Sequence, residues 1–274
     1  MKGTSVFQRQ GGDEMITDFQ FDKKWTLQPI KGETGQTYLG ISGDEKVFIK
    51  RNSSPFLAAL SREGIAPKLI WTKRTGNGDI LTAQEWLEGS LLSPEVVGNS
   101  REVITIMKHL HQSDSLKSML KKVGGEEQTA LDFLSAYVDD LPTALRTNQY
   151  LESVFRYLEN YLPEPVEPRA CHGDPLHHNW LLSEEGRLYL VDWDSSMLAD
   201  PASDLGTILG RYVAHHNWHH WLLVYGIEPD KDDMDRIYWY CGINFLLRIK
   251  QAYLNENFKL MNHEIALLKE IYIY

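Results

Sequence analysis

The residues best suited to chemistry lie in one short stretch, Cys171 to Asp194, which reads CHGDPLHHNWLLSEEGRLYLVDWD. His172, Asp174 and Asn179 follow the pattern H-x-D-x-x-x-x-N, and Asp192 comes after a segment with the composition of a β-hairpin. A transferred phosphoryl group spreads negative charge over its oxygens, so the protein must supply a carboxylate that accepts the hydroxyl proton and oxygen ligands for metal ions. The spacing therefore predicts a phosphoryl-transfer site.

Each residue of this stretch has a predicted role. Asp174 is the base, while Asn179 and Asp192 offer an amide oxygen and a carboxylate to magnesium, which prefers hard oxygen ligands. A turn at residues 184–186 should fold Asp192 back beside Asn179. Asp194 comes two residues later on the same predicted strand, so its carboxylate should share the magnesium cluster, and a structural hydrogen-bond acceptor is its alternative role.

Three ordered motifs carry a resemblance to a known superfamily. The segments HGDPLHHN, YLVDWD and DPASDLG resemble the aminoglycoside phosphotransferase and choline/ethanolamine kinase superfamily, over the chain from about Trp25 to its C-terminus. The resemblance implies the α+β fold of the protein kinases, with a small antiparallel-sheet N-terminal lobe and a larger, mainly helical C-terminal lobe. It also implies ATP and Mg²⁺ as cofactors and places His172 among the catalytic residues.

Asp204 begins the predicted helix DLGTILGRYV. An aspartate at a helix start can be simply an N-cap. In the superfamily that the motifs resemble, the matching aspartate also hydrogen-bonds the backbone of the catalytic loop. We therefore expect Asp204 to support the catalytic residues and not to bind the metal.

A narrower likeness lies in the segments SPFLAALSREGIAPKLIWTKR and AQEWLEG and in the NW that follows the loop. These segments are similar to the CcrZ cell-cycle regulators of Gram-positive cocci, which are classed with ethanolamine-kinase-like enzymes. That likeness implies cell-division or replication-initiation proteins as partners. It keeps open an alternative function, a kinase-shaped regulatory binding protein.

Residues that could bind the nucleotide lie in the N-terminal third. Gly32 and Gly35 lie between two predicted strands, where backbone N–H groups can approach a triphosphate, although such turns are also common for conformational reasons alone. Lys50 ends the strand KVFIK, at the position of a lysine that holds the α- and β-phosphates, and an ordinary exposed lysine is the alternative. Glu63, after a short helix, is its predicted partner.

An apolar strand, ILTAQEWL, follows at residues 80–87. The family pattern places the hinge between the lobes after it, where backbone groups of Glu85 and Leu87 would recognise adenine. We expect a mobile tail at residues 1–20, a nucleotide-binding lobe at residues 21–88, and a helical lobe with the catalytic loop and acceptor site at residues 89–274.

Composition limits the remaining functions. The chain has 274 residues, of which 42% are hydrophobic, enough for a sizeable core. Its net charge of -10 argues against nucleic-acid binding, which requires clustered Lys and Arg. No signal peptide or membrane-spanning run is visible, so we expect a cytoplasmic protein. The two cysteines form no disulfide framework, and Cys171 should be a buried, inert thiol.

The histidines raise a competing possibility. On a helix, His215 with His219 and His216 with His220 would lie at the i, i+4 spacing that can hold zinc, but no third ligand is evident and solvated histidines are favoured. His111 reads as a capped or surface residue on its helix. A metal hydrolase built from the aspartates and histidines is the weakest alternative, because it leaves the glycine turn and the phosphate-binding lysine unexplained.

The acceptor is predicted to be a small molecule. Only nine residues, Ser195 to Ser203, separate Asp194 from Asp204, too few for the activation segment on which protein kinases present a peptide. The family resemblance points to choline, ethanolamine or another small alcohol, with a sugar next. Four aromatics could bind a cationic amino alcohol, although packing is the more common role of any one of them. They are Trp193, Trp218, Trp221 and Trp239.

Overall fold

A computed structural model describes residues 25–30 and 37–272. In chain order the strands are β1 (Thr26–Pro29), β2 (Thr37–Ser42), β3 (Glu45–Arg51), β4 (Leu69–Arg74), β5 (Ile80–Glu85), β6 (Gly89–Leu91), β7 (Glu127–Gln128), β8 (Arg169–Cys171), β9 (Trp180–Ser183), β10 (Leu188–Leu190) and β11 (Met197–Ala199). The helices are α1 (Phe56–Arg62), α2 (Pro94–Asn99), α3 (Arg101–Gln112), α4 (Asp114–Lys122), α5 (Ala130–Val138), α6 (Thr143–Arg146), α7 (Gln149–Asn160), α8 (Ala202–Tyr212), α9 (Trp218–Tyr225), α10 (Lys231–Leu254) and α11 (Phe258–Ile271).

The chain divides into two compact units. The first holds the described residues up to Leu92 together with His178–Asp194, and the second holds Ser93–His177 and the described residues from Ser195 onward. The segment His178–Asp194 thus belongs to the first unit, although the residues on both sides of it belong to the second. A division of the sequence at one position does not describe this grouping. The predicted tail at residues 1–20 lies outside the described residues.

The first unit contains a five-stranded antiparallel sheet in the order β1-β2-β3-β5-β4. Residues of β3 alternate between its two faces, as strand geometry requires, so Val47 and Ile49 are buried while Lys50 points away from them. The buried residues join Leu27, Leu81 and Ala83 in one apolar cluster. The sheet therefore fixes where the Lys50 side chain begins.

A second, three-stranded sheet in the first unit has the order β10-β9-β6. Strands β9 and β10 pair antiparallel, with Leu182 opposite Leu188, and Gly186 has a φ of 80° in the turn between them. This left-handed conformation favours glycine. The predicted hairpin at this place is confirmed.

The second unit is mainly helical and is organised around α8 and α10. The first turn of α10 is closed by a capping box between Asp230 and Asp233. Glycines allow α8 to approach α10 closely: a Cβ added at Gly206 would lie 2.6 Å from the backbone nitrogen of Cys241. Within residues 25–30 and 37–272, none of the helices combines the length with the apolar character that crossing a bilayer requires.

The helix predicted to begin at Asp204 is present as α8, but it begins two residues earlier, at Ala202. The single helix that the zinc alternative requires does not run through the histidine cluster. His215 lies in a separate 3-10 turn, His215–Asn217, and α9 begins at Trp218. The assumed i, i+4 register therefore does not extend across the four histidines.

Replacing Gly206 with alanine should destabilise the protein. Helix propensity alone favours alanine over glycine by about 1 kcal/mol, but here the added Cβ would collide with the backbone of α10. Overpacking of this kind typically costs about 1–3 kcal/mol, so we expect the free energy of unfolding to fall, as measured by urea denaturation.

Gly76→Ala is the matched control. A Cβ at Gly76 meets no heavy atom within 4 Å, and the residue is not in the left-handed region. Its free energy of unfolding should change little. If Gly206→Ala raised the stability, the close approach of α8 and α10 through glycine would be contradicted.

Candidate functional site

Three predicted site residues meet in the first unit. Lys50 Nζ lies 2.7 Å from an Asp194 oxygen and 2.9 Å from an Asp192 oxygen. The lysine side chain is only 14% exposed, whereas those of Asp192 and Asp194 are 46% and 47% exposed. Two solvent-accessible carboxylates therefore converge on one positive centre, although they are far from Lys50 in the sequence.

The two aspartates reach this position by a route that the sequence did not predict. The expectation that both lie on one strand is wrong, because β10 ends at Leu190, and Asp192 adopts a φ of 63°. Asp194 lies in the 3-10 turn Trp193–Ser195. The backbone therefore turns sharply between the two carboxylates, and both still face Lys50.

A buried tryptophan anchors this turn. Trp193 lies between the two aspartates, donates its indole N–H to the carbonyl of Leu190 at 3.0 Å, and packs edge-on against Phe56 of α1. The amide of Val191 donates to the carbonyl of Asn179 at 2.9 Å, which links the end of the hairpin to the predicted metal ligand. The turn is thus held by the contact of Trp193 with Phe56 and by two hydrogen bonds at the end of the hairpin.

The charge of Lys50 depends on its partners. Burial lowers the pKa of the Lys50 amine, but hydrogen bonds with Asp194 and Asp192 raise it by more, so the pKa lies above its usual value. The amine is therefore charged at neutral pH. This is the form that can bind a phosphate oxygen.

In the second unit, Asp204 holds the catalytic loop by its backbone. The carboxylate accepts hydrogen bonds from the amides of His172 at 2.7 Å and Gly173 at 2.9 Å. Gly173 has a φ of 84°, a conformation that favours glycine. His172 Nδ1 then accepts a hydrogen bond from the amide of Asp174 at 3.1 Å. Two successive hydrogen bonds, both involving His172, therefore connect the Asp204 carboxylate to the backbone of Asp174, the predicted base.

Asp204 is not the N-cap of α8. The helix begins at Ala202, so Asp204 lies in its first turn, and the carboxylate of Asp200 accepts the amide N–H of Ala202 at 2.9 Å. The capping role that an aspartate at this place can have is thus taken by Asp200. The carboxylate of Asp204 remains available to the loop.

His111 is the site residue that sequence reasoning missed. It was expected on the surface or at a cap, but it is 2% exposed, with Nε2 3.1 Å from the Asp204 carboxylate and Nδ1 2.8 Å from the Tyr225 hydroxyl. Burial raises the pKa of Asp204, but the hydrogen bond from His111 and those from the loop lower it by more, so this buried carboxyl stays ionised. His111 follows the apolar residues that form the buried face of α3, and this position could have indicated that its side chain is buried.

Cys171 is buried, as expected, and burial raises the pKa of its thiol well above the usual value. Its sulfur lies within 4.8 Å of the ligand atoms of His111 and Asp204. Both Asp204 oxygens already accept hydrogen bonds in this cluster. His111 and Asp204 are therefore hydrogen-bonded to each other beside the Cys171 sulfur, which makes its own contacts with the carbonyls of Ala199 and Asp200.

The remaining predicted nucleotide residues are only partly described. Gly32 and Gly35 lie outside the described residues. Glu63 follows the last residue of α1, and its pairing with Lys50 stays a prediction. The amide of Glu85 donates to the carbonyl of Lys68 at 2.9 Å, so this amide is already occupied. Leu87 is half-buried after β5, where it was predicted to recognise adenine.

The four tryptophans considered for binding a cation are packing residues. Each is at most 6% exposed, which leaves no ring face for a ligand. They are Trp193, Trp218, Trp221 and Trp239. The expectation of a cation–π contact from these rings is therefore wrong, and the alternative, packing, holds for all four.

Removing both carboxylates from Lys50 should make its amine more reactive. In Asp192→Asn/Asp194→Asn, burial remains while the two stabilising partners are lost, so the Lys50 pKa should fall below its usual value of about 10.4. Each unit of decrease raises the unprotonated fraction about tenfold at a pH of about 9. Competitive acetylation followed by mass spectrometry measures this fraction, with Lys46 on the same strand as the internal control. Equal Lys50 labelling in both proteins would contradict the ion pairs.

Comparison with known proteins places these residues in a family. The model of the APH phosphotransferase enzyme family matches residues 26–240. Choline kinase LicA from Streptococcus pneumoniae is similar in structure, with a TM-score of 0.64 and 17% identity over 91% of this chain and 95% of that chain. A choline/ethanolamine kinase family protein from Mesorhizobium loti gives 0.63 and 19% over 90% of this chain and 88% of that chain.

The GDP complex of aminoglycoside 2′-phosphotransferase-IIIa gives a TM-score of 0.64 and 14% identity over 94% of this chain and 95% of that chain. At such low identities the likeness establishes the fold, and the predicted protein-kinase-like α+β fold and the broad superfamily are confirmed. The narrower likeness to the CcrZ regulators stays a prediction. Because the matching region, residues 26–240, is most of the chain, this protein belongs to the APH phosphotransferase enzyme family.

Proposed function

We propose that this protein is an ATP- and magnesium-dependent kinase that transfers the γ-phosphoryl group to a hydroxyl of a small acceptor. The observation that carries the proposal is the convergence of Asp192 and Asp194 on Lys50. A phosphate-binding cation next to two metal-binding carboxylates is what a triphosphate–magnesium complex needs. A cytoplasmic location, where ATP is supplied, is part of the proposal.

Asp174 is the proposed base. It would accept the proton of the acceptor hydroxyl while the hydroxyl oxygen forms a bond to the γ-phosphorus and the bond from that phosphorus to the leaving oxygen of ADP breaks. The hydrogen bond from the Asp174 amide to His172, and the bonds from the loop to Asp204, support this role, because they fix the backbone that carries the base. We therefore assign His172 and Asp204 to positioning.

The proposed magnesium ligands suit that ion chemically. Asp192 and Asp194 already direct oxygens at one positive centre, and Asn179 adds a neutral amide oxygen, a set of hard ligands of the kind Mg²⁺ takes. When bound, the ion would neutralise charge on the phosphates. Lys50 would then hold phosphate oxygens in place of its carboxylate partners. Since both aspartates are nearly half exposed, this exchange requires no opening of a buried pair.

A nucleotide as the phosphate donor is supported by similar structures. LicA has been solved with AMP, and the 2′-phosphotransferase with GDP. The proposed nucleotide contacts are those of Lys50 with the phosphates, with Glu63 as its partner and Gly32 and Gly35 near the triphosphate. The Glu85 carbonyl and the Leu87 amide would contact the base.

A small alcohol is the proposed acceptor. The chain from Ser195 to Ser203 contains β11, which pairs with β8, and then enters α8, so it is occupied by regular structure and offers no platform for a peptide. Similar structures include a choline kinase and an aminoglycoside phosphotransferase, which favours choline or ethanolamine first and a sugar next. With the four tryptophans buried, the case for a cationic acceptor rests on that likeness and on the net charge of -10.

A purely regulatory protein is the alternative that the CcrZ likeness implies, with division or replication-initiation proteins as partners. A scaffold has no physical need for a base, a phosphate-binding lysine and metal ligands together. We therefore propose catalysis as the main activity, with a regulatory role as a possible addition to it.

Asp174→Ala and Asp192→Ala should lose activity for different reasons. Loss of the base should lower turnover at least about a hundredfold while ATP still binds, because the residues proposed to hold the nucleotide remain. Loss of the metal ligand should weaken magnesium-dependent ATP binding itself. Calorimetry with ATP and Mg²⁺ measures the binding, and ADP release measures the turnover.

Asp44→Ala, at an exposed turn between β2 and β3, is the matched control and should leave both measurements unchanged. Wild-type ADP production by Asp174→Ala in the presence of a working acceptor would show that Asp174 is not the base.

Phosphate should appear on a small alcohol and not on a protein. We expect labelled ATP with Mg²⁺ to give a labelled product with choline, ethanolamine or a sugar or aminoglycoside from a panel, and Asp174→Ala to give none. The parallel arm offers candidate division and replication-initiation proteins. If label appeared on protein alone and no alcohol were phosphorylated at millimolar concentration, the proposed acceptor class would be overturned.

A further inference from the structure

The far end of the catalytic loop has a contact with α8 that the motif does not predict. The hydroxyl of Tyr212, the last residue of α8, accepts the backbone N–H of His177 at 3.0 Å and lies 3.2 Å from His177 Nδ1. The two rings also meet edge-on, with centroids 6.0 Å apart. His177 comes three residues after Asp174, so this contact fixes the loop just beyond the proposed base.

One helix therefore holds the loop at two points. Asp204, in the first turn of α8, binds the amides of His172 and Gly173, and Tyr212, at the end of α8, binds the amide of His177. Eight residues of helix separate the two contacts, which is a span of about 12 Å at 1.5 Å per residue. Because a helix is stiff over this length, the distance between the two ends of the loop is set by α8.

The second contact is itself held in place. A Cβ added at Gly98 would collide with the carbonyl of Tyr212, so α2 lies directly against the end of α8. The neighbouring Arg211 forms a buried ion pair with Glu264 of α11 at 2.8 Å, and its guanidinium lies 4.2 Å from the centre of the Phe245 ring. Three helices thus fix the last turn of α8, and with it the phenol.

The phenol is also in the right protonation state. Burial raises the pKa of Tyr212 by more than the hydrogen bond from the His177 amide and the charge of Arg211 lower it, so the pKa lies above its usual value. The hydroxyl therefore keeps its proton and can accept from the His177 amide while donating to the His177 ring.

We propose that Tyr212 is a positioning residue for the phosphoryl transfer, which holds the segment after Asp174 so that the carboxylate faces the acceptor hydroxyl. This inference rests on the proposed function. The hydrogen bonds of Tyr212 to His177 and its packing against α2 lie within the second unit, whereas Lys50, Asp192 and Asp194 belong to the first. Its removal should therefore affect the chemical step and spare nucleotide binding.

The test compares Tyr212→Phe with Tyr137→Phe. Both lose only a phenol hydroxyl from the helical unit, and Tyr137 lies on α5, where its ring packs against Phe155. Amide hydrogen exchange is followed by mass spectrometry on the peptide spanning Asp174–Asn179. Steady-state kinetics use ATP, Mg²⁺ and whichever of choline, ethanolamine or kanamycin the wild-type protein phosphorylates.

In Tyr212→Phe we expect the His177 amide to exchange about fivefold to tenfold faster, the gain expected from losing one hydrogen bond. Turnover should fall about tenfold or more, because small misplacements of a catalytic group are costly, while the KM for ATP stays within about twofold. His177→Ala keeps the backbone donor and should lose less turnover than Tyr212→Phe. Tyr137→Phe should match the wild-type protein.

Unchanged exchange and unchanged turnover in Tyr212→Phe would overturn the inference, and so would an equal loss in Tyr137→Phe or a loss confined to the KM for ATP. If the wild-type protein phosphorylates none of the acceptors and forms no ADP, the proposed function fails separately. In that case the exchange rate of the His177 amide alone decides: wild-type exchange in Tyr212→Phe overturns the loop contact, and faster exchange supports it.

Discussion

The buried carboxylate of Asp204 joins three parts of the helical unit: the first turn of α8, the helix that carries His111 and the loop before Asp174. A charge taken out of water is stable only if its oxygens are hydrogen-bonded, and here the donors are the amides of His172 and Gly173 and the ring of His111. Removing one partner from such a buried ionic network costs on the order of 3–5 kcal/mol. The Asp204 carboxylate therefore couples the first turn of α8, the helix that carries His111 and the loop that carries Asp174.

In the first unit, by contrast, the paired carboxylates are exposed to solvent. Lys50 is largely buried, but Asp192 and Asp194 remain nearly half exposed, so water and ions reach the carboxylates. An ion pair of this kind holds its members in place without a large penalty for separating them, because solvent screens the charges. The buried network is suited to a permanent framework, whereas the exposed pairs are suited to the exchange of partners that the proposed function requires. Burial thus separates groups that keep their partners from groups whose partners are accessible to solvent.

The sequence predicted the local features well, because local features depend on short-range periodicity and turn chemistry. Alternating residues in KVFIK defined β3 and the face of Lys50, and a glycine between two apolar runs defined the hairpin before Asp192. The same reasoning failed where the chain leaves regular structure. The left-handed Asp192 and the 3-10 turn at Trp193 replaced a predicted strand, and a second 3-10 turn lies where the zinc alternative required a continuous helix through the histidines. Short apolar and polar runs do not distinguish a strand from such turns.

By itself the sequence determined the fold class, the phosphoryl-transfer motif and the order of its candidate residues, since a motif states which chemical groups stand at which spacing. Only the tertiary structure decided which groups meet: Lys50 with Asp192, Asp204 with His111, and Tyr212 with His177 are 142, 93 and 35 residues apart in the chain. Pairs this distant are set by the packing of whole helices and strands, which no local pattern encodes. For the same reason burial decided the roles of side chains that the sequence left open, placing four tryptophans in the core and turning a presumed surface histidine, His111, into a partner of the buried carboxylate.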